Sequence, residues 1–318
     1  MGKHKQRPKA GRWGKRKKDE RDWKAYDQKK VAQGELLVPL DLACSWQHQL
    51  DGQNLEKVGA PFTYPDSFLE TLGLWKCTGK IGLRCCQGVG NRLATVLSLP
   101  AAPQYSTICR RLRRLGEGYY MARKKTKEGE PIYAVVDGTG LKVCNRGEWM
   151  RYKHKGKRKG FIRVMWAVNR KTGEILDFTA TTEKTGENKK FKPMIRRLKK
   201  NRKVNKVGAD GAFDTYENFD ELKKQKIKPA IKIRRNAVDG PPKPEPWMKA
   251  RIDEVQKYQR WGYKKWAKKR EYGGRWISET TPSVFKGLFG EYVFSKGMRH
   301  VKAEVGLKVH YLNMLNGF

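Results

Sequence analysis

The spacing of apolar residues changes near residue 131, and this change constrains the fold more than any other feature of the chain. Before residue 131, apolar residues recur at helical spacing; after it, short apolar runs of strand length are separated by turns. The predicted strands cover residues 132–136, 161–168, 174–182, 204–210 and 228–233. Helices are predicted between the third and fourth strands and between the fourth and fifth. This alternation indicates a mixed α/β sheet.

The connections between these strands predict how they pair. Strands two and three are joined by the short turn Lys171-Thr172-Gly173, which favours an antiparallel hairpin. The later connections contain helices, and such crossovers imply parallel pairing. Three antiparallel strands, then alternating helices and strands, then a long helix, is the element order of an RNase H-like fold. We therefore expect an RNase H-like mixed sheet flanked by helices over residues 131–318.

Two regions precede this sheet. Residues 1–35 are rich in Lys and Arg and poor in large aliphatic side chains, so we expect an extended or disordered basic arm. Residues 36–118 are expected to form a small helical domain. Its last helix should begin at Ser106 or Thr107 and resembles the reading helix of a helix-turn-helix module, although an ordinary basic surface helix is the alternative. The arginines expected to contact DNA are Arg110, Arg111, Arg113 and Arg114.

The charge of the chain points to a polyanionic partner. The 318 residues include 71 Lys and Arg against 32 Asp and Glu, giving a net charge of +39. Such a surface attracts nucleic acid. No apolar run approaches the ~18 residues of a membrane-spanning helix, and no signal peptide is visible, so we expect a cytoplasmic, nucleoid-associated protein without a membrane partner. A basic loop contributes the candidate DNA contacts Lys155, Lys157 and Arg158.

Three acidic residues are placed to do chemistry in this basic chain. Asp137 follows the first predicted strand, Asp210 ends the fourth, and Glu279 lies in a later segment that we interpret as a helix. Carboxylates on neighbouring elements can hold Mg²⁺ beside a phosphodiester. Asp214 competes with Asp210, but Asp210 ends the apolar run, whereas Asp214 and Glu217 have the spacing of a helix capping box.

The segment around Glu279 carries further candidates. On a regular helix, Arg275, Glu279 and Lys286 would share one face with Tyr272, although Pro282 should kink the helix or start a new one. Before it, residues 236–270 form a basic insertion. Its aromatic residues could either stack on exposed bases or form a small local core. These aromatic residues are Trp247, Tyr258, Trp261, Tyr263 and Trp266.

This segment also resembles a known signature. Tyr272, two residues, Arg275, three residues, Glu279, six residues and Lys286 match every spacing of a signature of the DDE transposases of bacterial and archaeal insertion sequences, in the insertion sequence four and five group. The stretch from Val136 to Gly140 resembles the first-Asp strand of that family. Residues 209–214 resemble its second-Asp motif, and the likeness covers most of residues 22–316.

The resemblance implies a metal-dependent DNA transposase. Asp137, Asp210 and Glu279 would be both catalytic and metal-binding, with two Mg²⁺ ions or Mn²⁺ in their place. Tyr272, Arg275 and Lys286 would contact DNA. The partners would be double-stranded DNA, as terminal inverted repeats and as target, and a second copy of the chain.

Two rival interpretations stay open from the sequence. A domesticated or inactive relative would bind DNA without cutting it, but all three carboxylates are present. A basic RNA-binding or ribosome-associated protein would explain the charge but not three acidic residues in this order.

Overall fold

The computed structural model describes residues 22–39, 41–121, 129–144, 160–238 and 240–317. Two units emerge, residues 1–38 and 39–318. In the first, α1 (Trp23–Glu35) begins at Asp22, whose carboxylate accepts from the Ala25 amide at 3.1 Å, and no residue of α1 is buried. This stretch of the expected extended arm is therefore helical; residues 1–21 lie outside the described residues.

The second unit begins with four helices and continues into the sheet. The helices are α2 (Leu42–Asn54), α3 (Asp66–Thr78), α4 (Leu83–Val96) and α5 (Tyr105–Met121). The strands are β1 (Ile132–Val143), β2 (Phe161–Asn169), β3 (Ile175–Thr182), β4 (Val204–Ala209), β5 (Lys228–Ile231) and β6 (Tyr292–Val293). The later helices are α6 (Asn188–Asn201), α7 (Tyr216–Lys224), α8 (Lys249–Arg270), α9 (Ile277–Phe289) and α10 (Met298–Leu315).

The described strands form one mixed sheet in the order β3-β2-β1-β4-β5, with β6 beside the end of β1. The pairs β1–β2 and β2–β3 are antiparallel, whereas β4 is parallel to both β1 and β5. This confirms the RNase H-like mixed sheet with helices around it. Within the described residues, no helix combines the length and apolar character that crossing a bilayer would require.

One face of the sheet carries the core that α6, α7 and α8 cover. Ala134 and Val136 of β1 are fully buried there with Phe191 of α6 and Phe219 of α7. The predicted apolar face of α6, which includes Met194, Ile195 and Leu198, also packs into this core, as helical spacing indicates. Since side chains alternate along a strand, Val135 and Asp137 of β1 face the other side of the sheet.

The opposite face is covered by α9, α10 and α5. Trp166 of β2 packs on Phe285 of α9 with ring centroids 5.4 Å apart, and Tyr120 of α5 packs on Phe178 of β3 at 5.2 Å. Asn313 of α10 exchanges hydrogen bonds with the backbone of Ile175. Helices α2 to α5 and the sheet thus belong to one compact unit, so their division into an end-binding and a catalytic part stays a prediction about function.

Helices α5 and α10 approach closely because both carry glycine at their crossing. A Cβ at Gly116 would lie 2.8 Å from the carbonyl carbon of Ala303 and would meet the carbonyl oxygen more closely still. A Cβ at Gly306 would in turn meet the carbonyl oxygen of Gly116 at 2.5 Å. Backbone atoms cannot move aside as a flexible side chain can, so this crossing requires glycine.

Gly116→Ala is expected to lower the free energy of unfolding by about 1–3 kcal/mol, the usual cost of overpacking. Urea unfolding followed by circular dichroism measures the change. Gly118→Ala is the matched control, because a Cβ at Gly118 of the same helix meets nothing within 4 Å. Equal stability of the two variants would contradict the close crossing.

Candidate active site

The parallel register of β1 and β4 brings two of the predicted acids together. Val136 is paired with Ala209, so Asp137, the next residue of β1, and Asp210, the first residue after β4, stand side by side. Neighbouring strands are about 4.8 Å apart. The sequence predicted that Asp137 ends its strand. Instead, β1 continues beyond it, because Gly138 to Lys142 also pair with β2.

Asp137 is held by backbone and side-chain donors. Its Oδ1 accepts from the Gly138 amide at 2.8 Å, and its Oδ2 accepts from the Ser278 hydroxyl at 3.0 Å. Burial raises the pKa of Asp137, and the charge of Asp210 raises it further, while these hydrogen bonds lower it. The outcome is a pKa above the usual range, because two carboxylates share one partly desolvated place.

Asp210 stands at the start of a short turn. Its Oδ1 accepts from the Ala212 amide at 2.9 Å and caps the 3₁₀ turn Gly211–Phe213. Asp214, the competitor, is fully buried and makes a two-pronged ion pair with Arg251 at 2.7 and 3.1 Å. The predicted capping box does not form: Thr215 caps α7 by accepting from the Asn218 amide. A carboxylate buried against Arg251 has no free oxygen for a metal, which favours Asp210.

Glu279 reaches the site from α9 and is linked to Asp137 through Arg275. The Arg275 guanidinium contacts Glu279 at 2.5 Å and Asp137 at 3.5 Å. Burial acts to lower the pKa of Arg275, but neighbouring groups that include Glu279, Asp137 and Asp210 raise it above its usual value. Arg275 therefore lies in the combined field of the three predicted carboxylates. The Glu279 side chain is 63% exposed, so it can turn without disturbing the core.

The signature residues do not share one helical face, contrary to the sequence prediction. Tyr272 and Arg275 lie in the 3₁₀ turn Tyr272–Trp276, and α9 begins only at Ile277. Tyr272 is 7% exposed and packs on Trp266 at 5.4 Å, so its ring anchors the turn rather than offering a DNA contact. Pro282 is accommodated inside α9, which runs without a break to Phe289.

Two residues near the predicted acids were missed by the sequence reasoning. Ser278 is fully buried and donates to Asp137. Burial raises the pKa of Glu187, at the start of α6, and the nearby charges of Asp137 and Asp210 raise it further, while Arg163 acts in the opposite direction. A Cβ at Gly138 would lie 2.6 Å from the Glu187 carboxyl group. A glycine directly after Asp137 was the one available signal of this close approach.

The other predicted DNA contacts differ in their surroundings. Arg111 is buried, pairs with Asp66 and lies over the Phe62 ring at 4.0 Å, so we correct its assignment: it stabilises the helical region. Arg110, Arg113 and Arg114 are exposed, as helix amphipathicity predicts. Lys286 is half-buried in the last part of α9. Lys155, Lys157 and Arg158 lie outside the described residues.

The aromatic residues of the basic insertion differ in burial, and base stacking by the exposed ones stays a prediction. Trp266 is fully buried, donates to Glu254 at 2.7 Å and packs on Tyr258, so part of the insertion is a local core. Tyr263 stays 47% exposed. Directly before Tyr263, α8 is broken at Gly262, whose φ is 68°.

The carboxylates suit a divalent ion chemically, since carboxylate oxygens are the ligands that Mg²⁺ and Mn²⁺ prefer. The raised pKa of Asp137 beside Asp210 shows two acids whose repulsion a cation would relieve. Among the described residues, no three His, Cys, Asp or Glu side chains are gathered closely enough to hold a metal as they stand.

Two family models match the chain, and one solved structure is similar to it. Residues 128–314 match a family model described as a transposase DDE domain, and residues 31–146 match a second model with the same description. Among solved structures, the chain is similar to the piggyBac transposase in its synaptic complex with hairpin DNA. The identity is 10% and the TM-score 0.37, over 90% of this chain and 75% of that one.

Proposed function

This chain belongs to the transposase DDE family, and from that premise we propose that Asp137, Asp210 and Glu279 are its catalytic carboxylates. Members of this family cut DNA and join it to a new site in a metal-dependent reaction. The observation that carries the assignment is the β1–β4 register, which sets Asp137 beside Asp210. The hydrogen bond from Ser278 to Asp137 then brings in the first turn of α9, where Glu279 lies.

We propose that Asp137, Asp210 and Glu279 hold two Mg²⁺ ions, or Mn²⁺ in their place, with Glu187 adding a fourth negative charge nearby. When bound, the metal makes a water or a DNA 3′-hydroxyl a better nucleophile and stabilises the departing oxygen. Ser278 and the Gly138 amide fix the Asp137 carboxylate by hydrogen bonds. Carboxylates that are already held in position do not lose further conformational entropy during the reaction, which lowers its barrier.

Arg275 has two roles in this proposal. In the structure it balances the charges of Glu279 and Asp137. Once these carboxylates turn to the metal, the guanidinium is free to donate to a DNA phosphate, for which its planar fork is well suited. Holding Arg275 at the end of a 3₁₀ turn anchored by buried Tyr272 keeps it beside the acids.

The proposed DNA partners are the terminal inverted repeats of the element and a target duplex. Exposed Arg110, Arg113 and Arg114 of α5 are proposed to contact the end sequence, together with Lys155, Lys157 and Arg158. Because two ends must be processed together, we propose that two copies of the chain assemble on paired ends. Gel filtration with end DNA that yields only one protein copy per pair of ends would reject the dimer.

The direct test is nicking of a duplex that carries the inverted repeats flanking the gene. Nicking is expected at the repeat boundary with Mg²⁺ or Mn²⁺ and is expected to stop when EDTA removes the metal. The products are resolved on a denaturing gel. Binding of the repeats without nicking in either metal would instead support a DNA-binding relative that has lost cleavage.

A further inference from the structure

A cleft of about 420 Å³ opens beside Asp210. Its wall is formed by the turn after β4, by residues 232–235 after β5, and by Tyr272 and Arg275. The cleft thus connects the proposed catalytic carboxylates to the edge of the sheet. Four of its lining residues are cations, namely Lys232, Arg234, Arg235 and Arg275.

Two of these four cations are occupied by the protein itself. Arg234 donates through Nε to the Gly211 carbonyl at 2.8 Å and through its terminal nitrogen to the Ala212 carbonyl at 3.2 Å. These bonds fix the turn that carries Asp210. Arg275 contacts Glu279 and Asp137. Arg234 therefore shapes the cleft, while Arg275 belongs to the carboxylate group.

The other two cations, Lys232 and Arg235, are exposed and make no ion pair with any acid in the described part of the chain. The Lys232 ammonium lies 5.7 Å from the centre of the Tyr263 ring, a weak cation–π contact that leaves its donors free. Lys232 and Arg235 thus place two cations without an acidic partner in a concave cleft. Such a cleft suits an anionic ligand that comes from outside the chain.

The sheet register fixes where Lys232 stands. Ala209 of β4 is paired with Ile231 of β5, so Lys232 follows β5 at the level where Asp210 follows β4. The Lys232 amide donates to the Ala209 carbonyl at 3.1 Å and keeps the two chains together. Asp137, Asp210 and Lys232 thus form one row across three neighbouring strands, with the backbone of Lys232 roughly one strand spacing, about 4.8 Å, beyond that of Asp210.

We propose that Lys232 and Arg235 bind the backbone phosphate next to the one that is cleaved, on the same DNA strand. This rests on the proposed catalytic role of Asp137 and Asp210, which places the cleaved phosphate at the other end of the row. A strand that crosses the row brings its neighbouring phosphate to the cleft. The ligand is a phosphodiester, so recognition is independent of base sequence.

The test replaces single phosphates of the end DNA by uncharged methylphosphonates, one position at a time near the cut. In the wild-type protein, the substitution next to the cut is expected to weaken binding about tenfold or more, the value of a charge-assisted contact. In Lys232→Ala/Arg235→Ala, the same substitution is expected to cost nothing further. The variant should also reduce the salt dependence of binding by about one unit of slope per lost contact.

Lys200→Ala/Lys223→Ala is the matched control, because it removes the same charge from exposed positions on α6 and α7. It should keep the wild-type methylphosphonate profile. An unchanged profile in Lys232→Ala/Arg235→Ala, with thermal unfolding as in the wild type, would overturn the inference. Binding is measured with Ca²⁺ and nicking with Mg²⁺, so the two measurements are separate. If the wild type nicks DNA while the variant keeps an unchanged methylphosphonate profile, the catalytic proposal stands and only this inference fails. Absence of wild-type nicking would instead defeat the catalytic proposal, and with it the position that this inference assigns to the bound phosphate.

Discussion

Asp137→Asn is expected to lower the rate of single-turnover nicking by about 10³-fold or more while end DNA is still bound. Metal ligation contributes several kcal/mol to such reactions, and each 1.36 kcal/mol is a factor of ten in rate. Asparagine keeps the shape: its Oδ1 can still accept from the Gly138 amide, and its Nδ2 can donate to the Ser278 hydroxyl, which itself donates to the Arg275 carbonyl, so the packing around residue 137 is preserved. Only the charge that we propose to hold a cation is removed.

The same substitution is expected to leave the protein at least as stable as the wild type. Burial and the neighbouring Asp210 raise the pKa of Asp137, which means that its charge is unfavourable in the folded state. A residue whose ionised form costs stability yet is required for the reaction is typical of an active site. Thermal unfolding of both proteins at pH 8 measures this, since Asp137 of the unfolded chain is ionised there.

Asp253→Asn is the matched control for nicking, because Asp253 is an exposed acid on α8 that lines a separate groove. It should nick at the wild-type rate. Nicking by Asp137→Asn at more than a tenth of the wild-type rate would remove Asp137 from the catalytic set. Loss of DNA binding together with nicking would show a role in the interface.

The strands and the pairing of Asp137 with Asp210 could be predicted because both depend on short-range patterns. Apolar runs of strand length marked the strands, and helical crossovers implied parallel neighbours. When an acid directly follows the apolar run of each of two parallel neighbouring strands, the register of the strands brings the two acids side by side. The end of β1 was misplaced because Gly138 and Gly140 have low strand propensity, yet pairing with β2 carries the strand through them.

The positions of side chains in turns and at helix ends could not be predicted from such short-range patterns. The helical wheel for Tyr272 to Lys286 assumed one α-helix, but a 3₁₀ turn precedes α9 and rotates Tyr272 into the core. Arg111 is buried because Asp66, 45 residues earlier, lies against it, and no local pattern records such a pairing. The position of the Glu187 carboxyl group beside Gly138 likewise depends on the path of the loop after β3.

Asp214→Ala is expected to destabilise the fold by about 3–5 kcal/mol, in contrast to Asp210→Ala. The Asp214 side chain is fully buried, and its removal leaves the Arg251 guanidinium, 9% exposed, without its counter-charge. The backbone amide of Arg234 loses its acceptor as well. At roughly 2–4 °C per kcal/mol for a chain of this size, the melting temperature should fall by about 10 °C. Differential scanning fluorimetry measures it.

Asp210→Ala removes a hydrogen bond to one amide of a three-residue turn, so its melting temperature should stay close to that of the wild type while nicking is lost. Replacing both members of the buried pair, in Asp214→Leu/Arg251→Met, should recover part of the stability because no unpaired charge remains. Nicking by the recovered double variant would establish that Asp214 is not a metal ligand. A folded, inactive Asp214→Ala beside an active Asp210→Ala would exchange the two assignments.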